Sequence, residues 1–185
     1  LNFIKRKKVN RAIIEASSHG LHQGRLSNLK FNSVVFTNFS RDHLDYHKSL
    51  TSYLNAKLIL FKKNLKTNSS IICDNGIAKL IRNKVKKNIK FVIQSKNNPF
   101  KILGSKPQGS KTKLKINYNN NIYNITINLI GKFQIENLFH AITLSVTSGI
   151  SENKIMNVLP KIKPIKRKLN IFKNKNKTVC LDYAH

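Results

Sequence analysis

Glu15 to Arg25 reads E-A-S-S-H-G-L-H-Q-G-R, Thr37 to His47 reads T-N-F-S-R-D-H-L-D-Y-H, and Tyr53 to Lys57 closes the series as Y-L-N-A-K. The first two clusters follow short apolar runs, Ala12-Ile13-Ile14 and Val34-Val35-Phe36, of the unbroken kind that parallel strands covered on both faces carry. In an open α/β sheet, ligands bind beyond the carboxyl ends of the strands. An ordinary loop would place turn formers there. This chain places carboxylates, imidazoles and hydroxyls.

Outward from that stretch, the end of a helix over 1–11 leads into a strand at about 12–16. A polar loop from Ser17 to Asn32 precedes a second strand at about 33–37. Leu50, Tyr53, Leu54, Lys57, Leu58 and Phe61 recur at helical spacing and predict a helix over 49–63, with Ser49 or Thr51 as its cap. Ser70-Ile71-Ile72-Cys73 is a strand, Asp74-Asn75-Gly76 a turn, Ile77 to Lys87 an amphipathic helix and Phe91-Val92-Ile93 another strand. Residues 112–130 alternate at the strand period about an Asn119-Asn120-Asn121 turn, a small antiparallel insertion. A helix follows Gly131 at about 134–148, Ser151 caps a short one ending before Pro160, and Val179 to Leu181 is the last strand. Residues 95–111, rich in Lys, Gly, Ser and Pro, are expected to be disordered. The fold class expected is α/β, a Rossmann-like mostly parallel sheet with helices on both faces and a small antiparallel β insertion.

The chain of 185 residues is long enough for one domain with a real core. Its net charge of +28 would ordinarily point to nucleic acid. The 35 Lys and Arg are mostly Lys, however, and Lys, Asn and Ile together make up roughly two-fifths of the chain, the bias of an AT-rich genome. The basic runs Lys5 to Lys8, Lys84 to Lys90 and Lys161 to Lys168 are therefore read as solvated surface, and no specific nucleic-acid partner is expected. Cys73 and Cys180 each sit in an apolar run, which suits buried free thiols in a reducing cytoplasm. No stretch reaches the ~18 apolar residues of a membrane span. The chain begins without Met and stops just after a strand, and so reads as an excerpt of a longer protein.

By residue type, Asp42, His43, Asp45 and His47 suit a metal site, acid–base work or the capping of the next helix. A hard cation such as Mg2+ takes few oxygen ligands and keeps its waters, and Glu15 on the neighbouring strand would add one carboxylate. Zinc is disfavoured, since neither CxxC nor HExxH occurs. Lys57 lies on an apolar helix face. It is either a snorkelling lysine or a buried one whose neutral amine serves as nucleophile or is chemically modified, and local sequence leaves both open. Neither G-x-x-x-x-G-K-[ST] nor G-x-G-x-x-G is present.

Taken together, the clusters resemble the Mur ligase family, the ATP-dependent amide-forming enzymes of peptidoglycan precursor synthesis. Within it they look most like the enzymes that add the third residue to UDP-N-acetylmuramoyl-L-alanyl-D-glutamate. The pattern E-[VA]-S-S-H-G-L-x-Q-x-R is met at Glu15 to Arg25, T-N-[LF]-S-x-D-H-L-D-Y-H at Thr37 to His47, Y-x-x-A-K at Lys57, G-x-F-[NQ]-x-x-N at Gly131 to Asn137, and D-Y-A-H at Asp182 to His185. The resemblance implies that 1–185 is part of the ATP-binding central domain. It places a P-loop and a UDP-binding domain upstream and a C-terminal ligation domain downstream, so that the fragment alone would be inactive.

It further implies that Lys57 is carboxylated by CO2, and that the carbamate, Glu15 and His43 hold Mg2+. Ser17, Gln23 and Arg25 would contact the UDP-muramoyl-dipeptide. Asn137 would lie on the adenine side, Arg167 on the phosphate side, and Asp182 would bind the nucleotide. The co-substrates would be ATP and a diamino acid, meso-diaminopimelate or lysine, and the enzyme a cytoplasmic monomer. The sequence departs from the pattern at Lys166 and Leu169, which flank Arg167, and at Gln134. The alternatives weighed beside this are the remnant of a decayed ligase gene and a basic nucleic-acid-binding protein.

Overall fold

Ile71, Ile72 and Cys73 are all fully buried. Successive strand residues point to opposite faces, so both faces of this strand are covered, as its unbroken apolar run requires. The computed structural model describes residues 6–85, 88–93, 98–165, 170–174 and 177–182. In chain order these form α1 (Ser18–His22), β1 (Phe31–Val35), α2 (Leu44–His47), α3 (Leu50–Lys63), β2 (Leu65–Cys73), α4 (Asn75–Ile81) and β3 (Lys90–Ile93). There follow β4 (Phe100–Gln108), β5 (Lys111–Tyr118), β6 (Asn121–Ile127), α5 (Lys132–Thr147), α6 (Glu152–Val158), β7 (Asn170–Asn174) and β8 (Lys177–Leu181). The chain divides into two compact units, one of residues up to Lys30 with Ser40–Leu65, the other of Phe31–Phe39 with Lys66 onward.

In the second unit β1, β2 and β3 form a sheet in that order, with β2 and β3 parallel and Ile72 opposite Val92. Beyond β1, the Phe36 N–H still donates to the Ile72 carbonyl at 2.8 Å. The expected turn at Asp74 is a helix cap: its Oδ1 accepts from the Ile77 N–H at 2.7 Å, and α4 starts two residues earlier than the apolar spacing indicated. It also ends earlier, passing into a single 3-10 turn at Arg82–Lys84 before the extended Val85.

The strand expected at 12–16 does not form. Residues 11–17 carry no regular structure and Ile13 is 87 % exposed. A three-residue apolar run becomes a strand only when another backbone pairs with it. The disorder expected over 95–111 is overturned as well, because β4 occupies most of it. From Phe100–Tyr118 to Gln108–Lys111, β4 pairs antiparallel with β5 through a bulge at Ile102/Gly104, and β5 pairs with β6. Beyond Ile102 the side chains of β4 are exposed, so the ladder rather than side-chain burial holds it. Its start is pinned by buried Asn98, whose Oδ1 accepts from the Phe100 N–H and whose Nδ2 donates to Thr143 Oγ1 on α5. The β5–β6 turn uses Asn119 (φ 48) and Asn120 (φ 69), the two left-handed residues that the tightest hairpin loop requires.

One face of this antiparallel sheet packs on α5 and α6, with Phe100, Leu114, Ile116, Tyr118 and Ile127 against Leu138, Phe139, Ile142 and Ile155. His140 of α5 is buried, and among the described residues its Nδ1 has no hydrogen-bond partner. Burial pushes this imidazole below its ordinary value, against the pull of Asp74 and Glu136. As pH falls, the unfolded chain therefore protonates His140 first, and the folded state loses at most about 1.4 kcal/mol per pH unit in that window. The urea midpoint should be lower at pH 5.5 than at 7.5, and His140→Leu should reduce that difference.

The strand expected at 179–181 exists as β8, but it pairs antiparallel with β7, with Ile171 opposite Cys180. This corrects the burial expected for the second thiol: Cys180 is exposed, because a two-stranded ribbon has too little surface to cover its own side chains. Cys73 is buried and its thiol is pushed up to about 12, mainly by burial and then by Asp74. A disulfide-exchange reagent should therefore label one thiol per native chain and both in denaturant; Cys180→Ser should remove the native signal.

Candidate functional site

Of the three clusters, residues 15–25 and 53–57 fall in the first unit, as does the Asp42 to His47 part of Thr37 to His47, whose first three residues belong to the second. Ser17 caps α1, accepting from the Gly20 N–H at 3.1 Å. A Cβ at Gly20 would lie 3.2 Å from that Oγ, a tight contact that the cap would have to shift to admit. Gln23 ends the helix and its Nε2 reaches the Tyr46 hydroxyl at 3.5 Å. Exposed Arg25 donates its N–H to the Gly20 carbonyl. The loop that carries it is clamped by buried Asn64 at the end of α3, whose Nδ2 donates to the carbonyls of Leu26 (2.6 Å) and Leu29 (2.9 Å). Ser17, Gln23 and Arg25 thus sit on one helix–loop segment, which the Asn64 amide and the Lys30 ammonium, donating to the Lys63 carbonyl at 2.6 Å, tie to the end of α3.

His43 (φ 55) and Lys48 (φ 64) are left-handed residues that bracket α2. For a side-chain-bearing residue this conformation costs on the order of 1 kcal/mol. The His43 N–H donates to Asp42 Oδ1 at 2.8 Å, and its Nε2 lies 3.5 Å from Asp42 Oδ2. Around it the rings gather. His19 meets His43 edge-on at 5.0 Å and lies 4.2 Å from Tyr46, while His22 Nδ1 is 3.0 Å from the Tyr46 hydroxyl. His47 is buried with its Nε2 3.0 Å from Ser18 Oγ. Burial, then the neighbouring His19, His22 and His43, hold it below its ordinary value, with Asp45 opposing. Of the four residues that the spacing offered for metal binding, acid–base work or capping, His47 is thereby committed to the core.

Lys57 projects from α3 with its Nζ 5.0 Å above the centre of the Tyr53 ring, and the same ring lies 5.8 Å from that of His43. Lys57 and His43 are thus brought to one tyrosine. Burial lowers the Lys57 pKa against the pull of Asp42, which raises the share of neutral amine. Tyr53, buried, is itself pushed up by burial and then by Asp42. The sequence placed Tyr53 in the Y-L-N-A-K cluster and at helical spacing but gave it no role in the site, although that spacing sets it one helical turn before Lys57. The ring contacts among His19, Tyr46 and His43 cross between segments and left no such mark.

Glu15 is exposed on the irregular segment before α1. Among the described residues, no three His, Cys, Asp or Glu side chains gather to hold a metal ion. The Glu15 carboxylate, and a carbamate if Lys57 carried one, would be hard oxygens of the kind Mg2+ takes, and burial shifts the Lys57 amine towards the neutral form that carbamate formation needs. In the second unit, Asn137 is exposed on α5 and Asp182 is exposed directly after β8. Arg167, with Lys166, Leu169 and Tyr183 to His185, lies outside the described residues.

The family profile described as the Mur ligase middle domain matches residues 1–145. A UDP-N-acetylmuramoyl-L-alanyl-D-glutamate–2,6-diaminopimelate ligase of Rickettsia typhi is 36% identical over 177 residues, 92% of this chain and 35% of the relative. The ligase of the same description from Wigglesworthia glossinidia brevipalpis is 32% identical, over 100% of this chain and 39% of its own. A solved structure of a ligase so described superposes with a TM-score of 0.74 at 27% identity, over 92% of this chain and 36% of the other. The chain spans little more than a third of the length of these relatives. With its parallel and antiparallel sheets in the same α/β arrangement, and with the profile matched over most of its length, the chain belongs to the Mur ligase middle-domain family.

Proposed function

We propose that this chain is part of the ATP-binding central domain of a ligase that joins a diamino acid, meso-diaminopimelate in preference to lysine, to UDP-N-acetylmuramoyl-L-alanyl-D-glutamate. The observation that carries this is the half-buried Lys57, its pKa lowered, over the same tyrosine that His43 touches. The names of the relatives support the substrate. ATP phosphorylates the free side-chain carboxylate of the D-glutamyl residue, the incoming amine attacks the acyl phosphate, and the tetrahedral intermediate collapses with loss of phosphate.

In this scheme the neutral Lys57 amine takes up CO2 and releases a proton, and its carbamate joins Glu15 and His43 in holding Mg2+. When bound, the metal supplies charge stabilisation to the transferring phosphoryl group. Ser17, Gln23 and Arg25 hold the UDP-muramoyl-dipeptide, Asn137 and Asp182 the nucleotide, and Arg167 its phosphates. The setting is the cytoplasm, in peptidoglycan synthesis that supports cell shape and division, and the enzyme acts as a monomer.

The test is an assay of the full-length protein for ADP release with ATP, Mg2+, the UDP-muramoyl-dipeptide and each diamino acid in turn. Release that needs both the dipeptide and diaminopimelate is expected. Release with lysine alone would reassign the third residue. None with either would mark the gene as a relic.

A further inference from the structure

Between Asp74 and Glu136 the sequence contains no carboxylate. The antiparallel sheet lies wholly within that interval, and its strand register sorts its side chains cleanly. Thr112, Leu114, Ile116 and Tyr118 of β5 are buried, and so Lys111, Lys113 and Lys115 stand on the opposite, exposed face. Lys106 lies directly across from Lys113, and Lys101 across from Asn117 of the same face. Five exposed lysines therefore share one side of a three-stranded sheet whose strands bear no acid. Like charges set directly opposite each other destabilise a strand pair, and nothing on the sheet offsets the Lys106–Lys113 repulsion.

We propose that this face docks on an anionic lipid bilayer surface. Charge complementarity identifies the partner as a polyanion, and two features favour a bilayer over nucleic acid. The sheet's aromatic residues Phe100, Tyr118 and Tyr123 belong to the register positions of the covered face, so the lysine face has no platform on which bases would stack. At its end Ile122, opposite Asn117, is 49 % exposed among the lysines and offers apolar area to the headgroup boundary.

The test is co-sedimentation of the full-length protein with vesicles of phosphatidylglycerol in phosphatidylcholine, against phosphatidylcholine alone. Binding only to the anionic vesicles, weakening as salt rises, is expected. Lys111→Glu/Lys113→Glu/Lys115→Glu should lower the partition at least about tenfold. Lys79→Glu/Lys84→Glu/Lys154→Glu, exposed positions off the sheet with the same change in net charge, should leave it within about twofold. The first variant turns the Lys106–Lys113 repulsion into an attraction, and the milder Lys→Gln triple at the same sites should also lose partition if folding intervenes. Equal losses in the two Glu triples would mean that bulk charge alone attracts the protein, and would overturn the proposal. So would retained vesicle binding in the sheet triple alongside lost binding to single-stranded RNA, which would make the face a nucleic-acid surface.

Discussion

On the proposed function, Lys57→Ala in the full-length protein should lower turnover by at least about a hundredfold while leaving the fold intact. The side chain is only partly buried, over the Tyr53 ring, so its loss opens no closed cavity. What it removes is the amine whose neutral form burial favours. Small carboxylates should restore part of the activity by supplying the missing oxygen ligand, and Lys57→Arg should fail because a guanidinium stays charged. Depleting CO2 should slow the wild type and bicarbonate should bring it back. Unchanged turnover in Lys57→Ala would remove the carbamate from the scheme.

Phe100→Ala should cost about 3–5 kcal/mol of stability, read as a fall in the urea midpoint at unchanged slope. Phe100 is fully buried, stacks on Phe139 of α5 at 5.9 Å and lies 6.4 Å from Tyr118 on β5. Truncation leaves a void between sheet and helix that neither side can close, since Asn98 ties the start of β4 to Thr143 on α5. Against a typical net stability of about 5–15 kcal/mol, such a loss leaves little reserve. A cost below about 1 kcal/mol would show that the antiparallel sheet and α5 do not fold as one core.

Elements specified by their own residues were legible in the sequence. The helix expected over 49–63 forms as Leu50–Lys63 with Ser49 as its cap, because cap and apolar spacing are both local. The Asn-Asn hairpin was equally plain, since few residues other than Gly tolerate two left-handed positions in a row. What escaped depends on partners distant in sequence. β4 has a loop-like composition and becomes a strand through its ladder with β5. Residues 12–16 have a strand-like composition and stay irregular. Cys180 looked buried because its run is apolar, yet the ribbon it joins cannot cover it. In the candidate site the residue types were readable in advance, but the shared contact of Lys57 and His43 with Tyr53 required the helix and the turn to be placed in space.

His43 and Lys48 share a left-handed φ, and the proposed function gives a role to His43 alone. At Lys48 the side chain adds only an exposed hydrogen bond from Nζ to the Asp45 carbonyl at 2.6 Å, and a saturation library should enrich Gly and Asn there and deplete Val and Ile. At position 43 the same library, sorted for folding alone, should give the same profile. Sorted for growth that depends on the enzyme, position 43 should collapse to histidine while position 48 keeps its profile. Two residues with the same left-handed φ thus provide an internal reference, in which the difference between their tolerance maps separates what the imidazole contributes from what a positive φ requires.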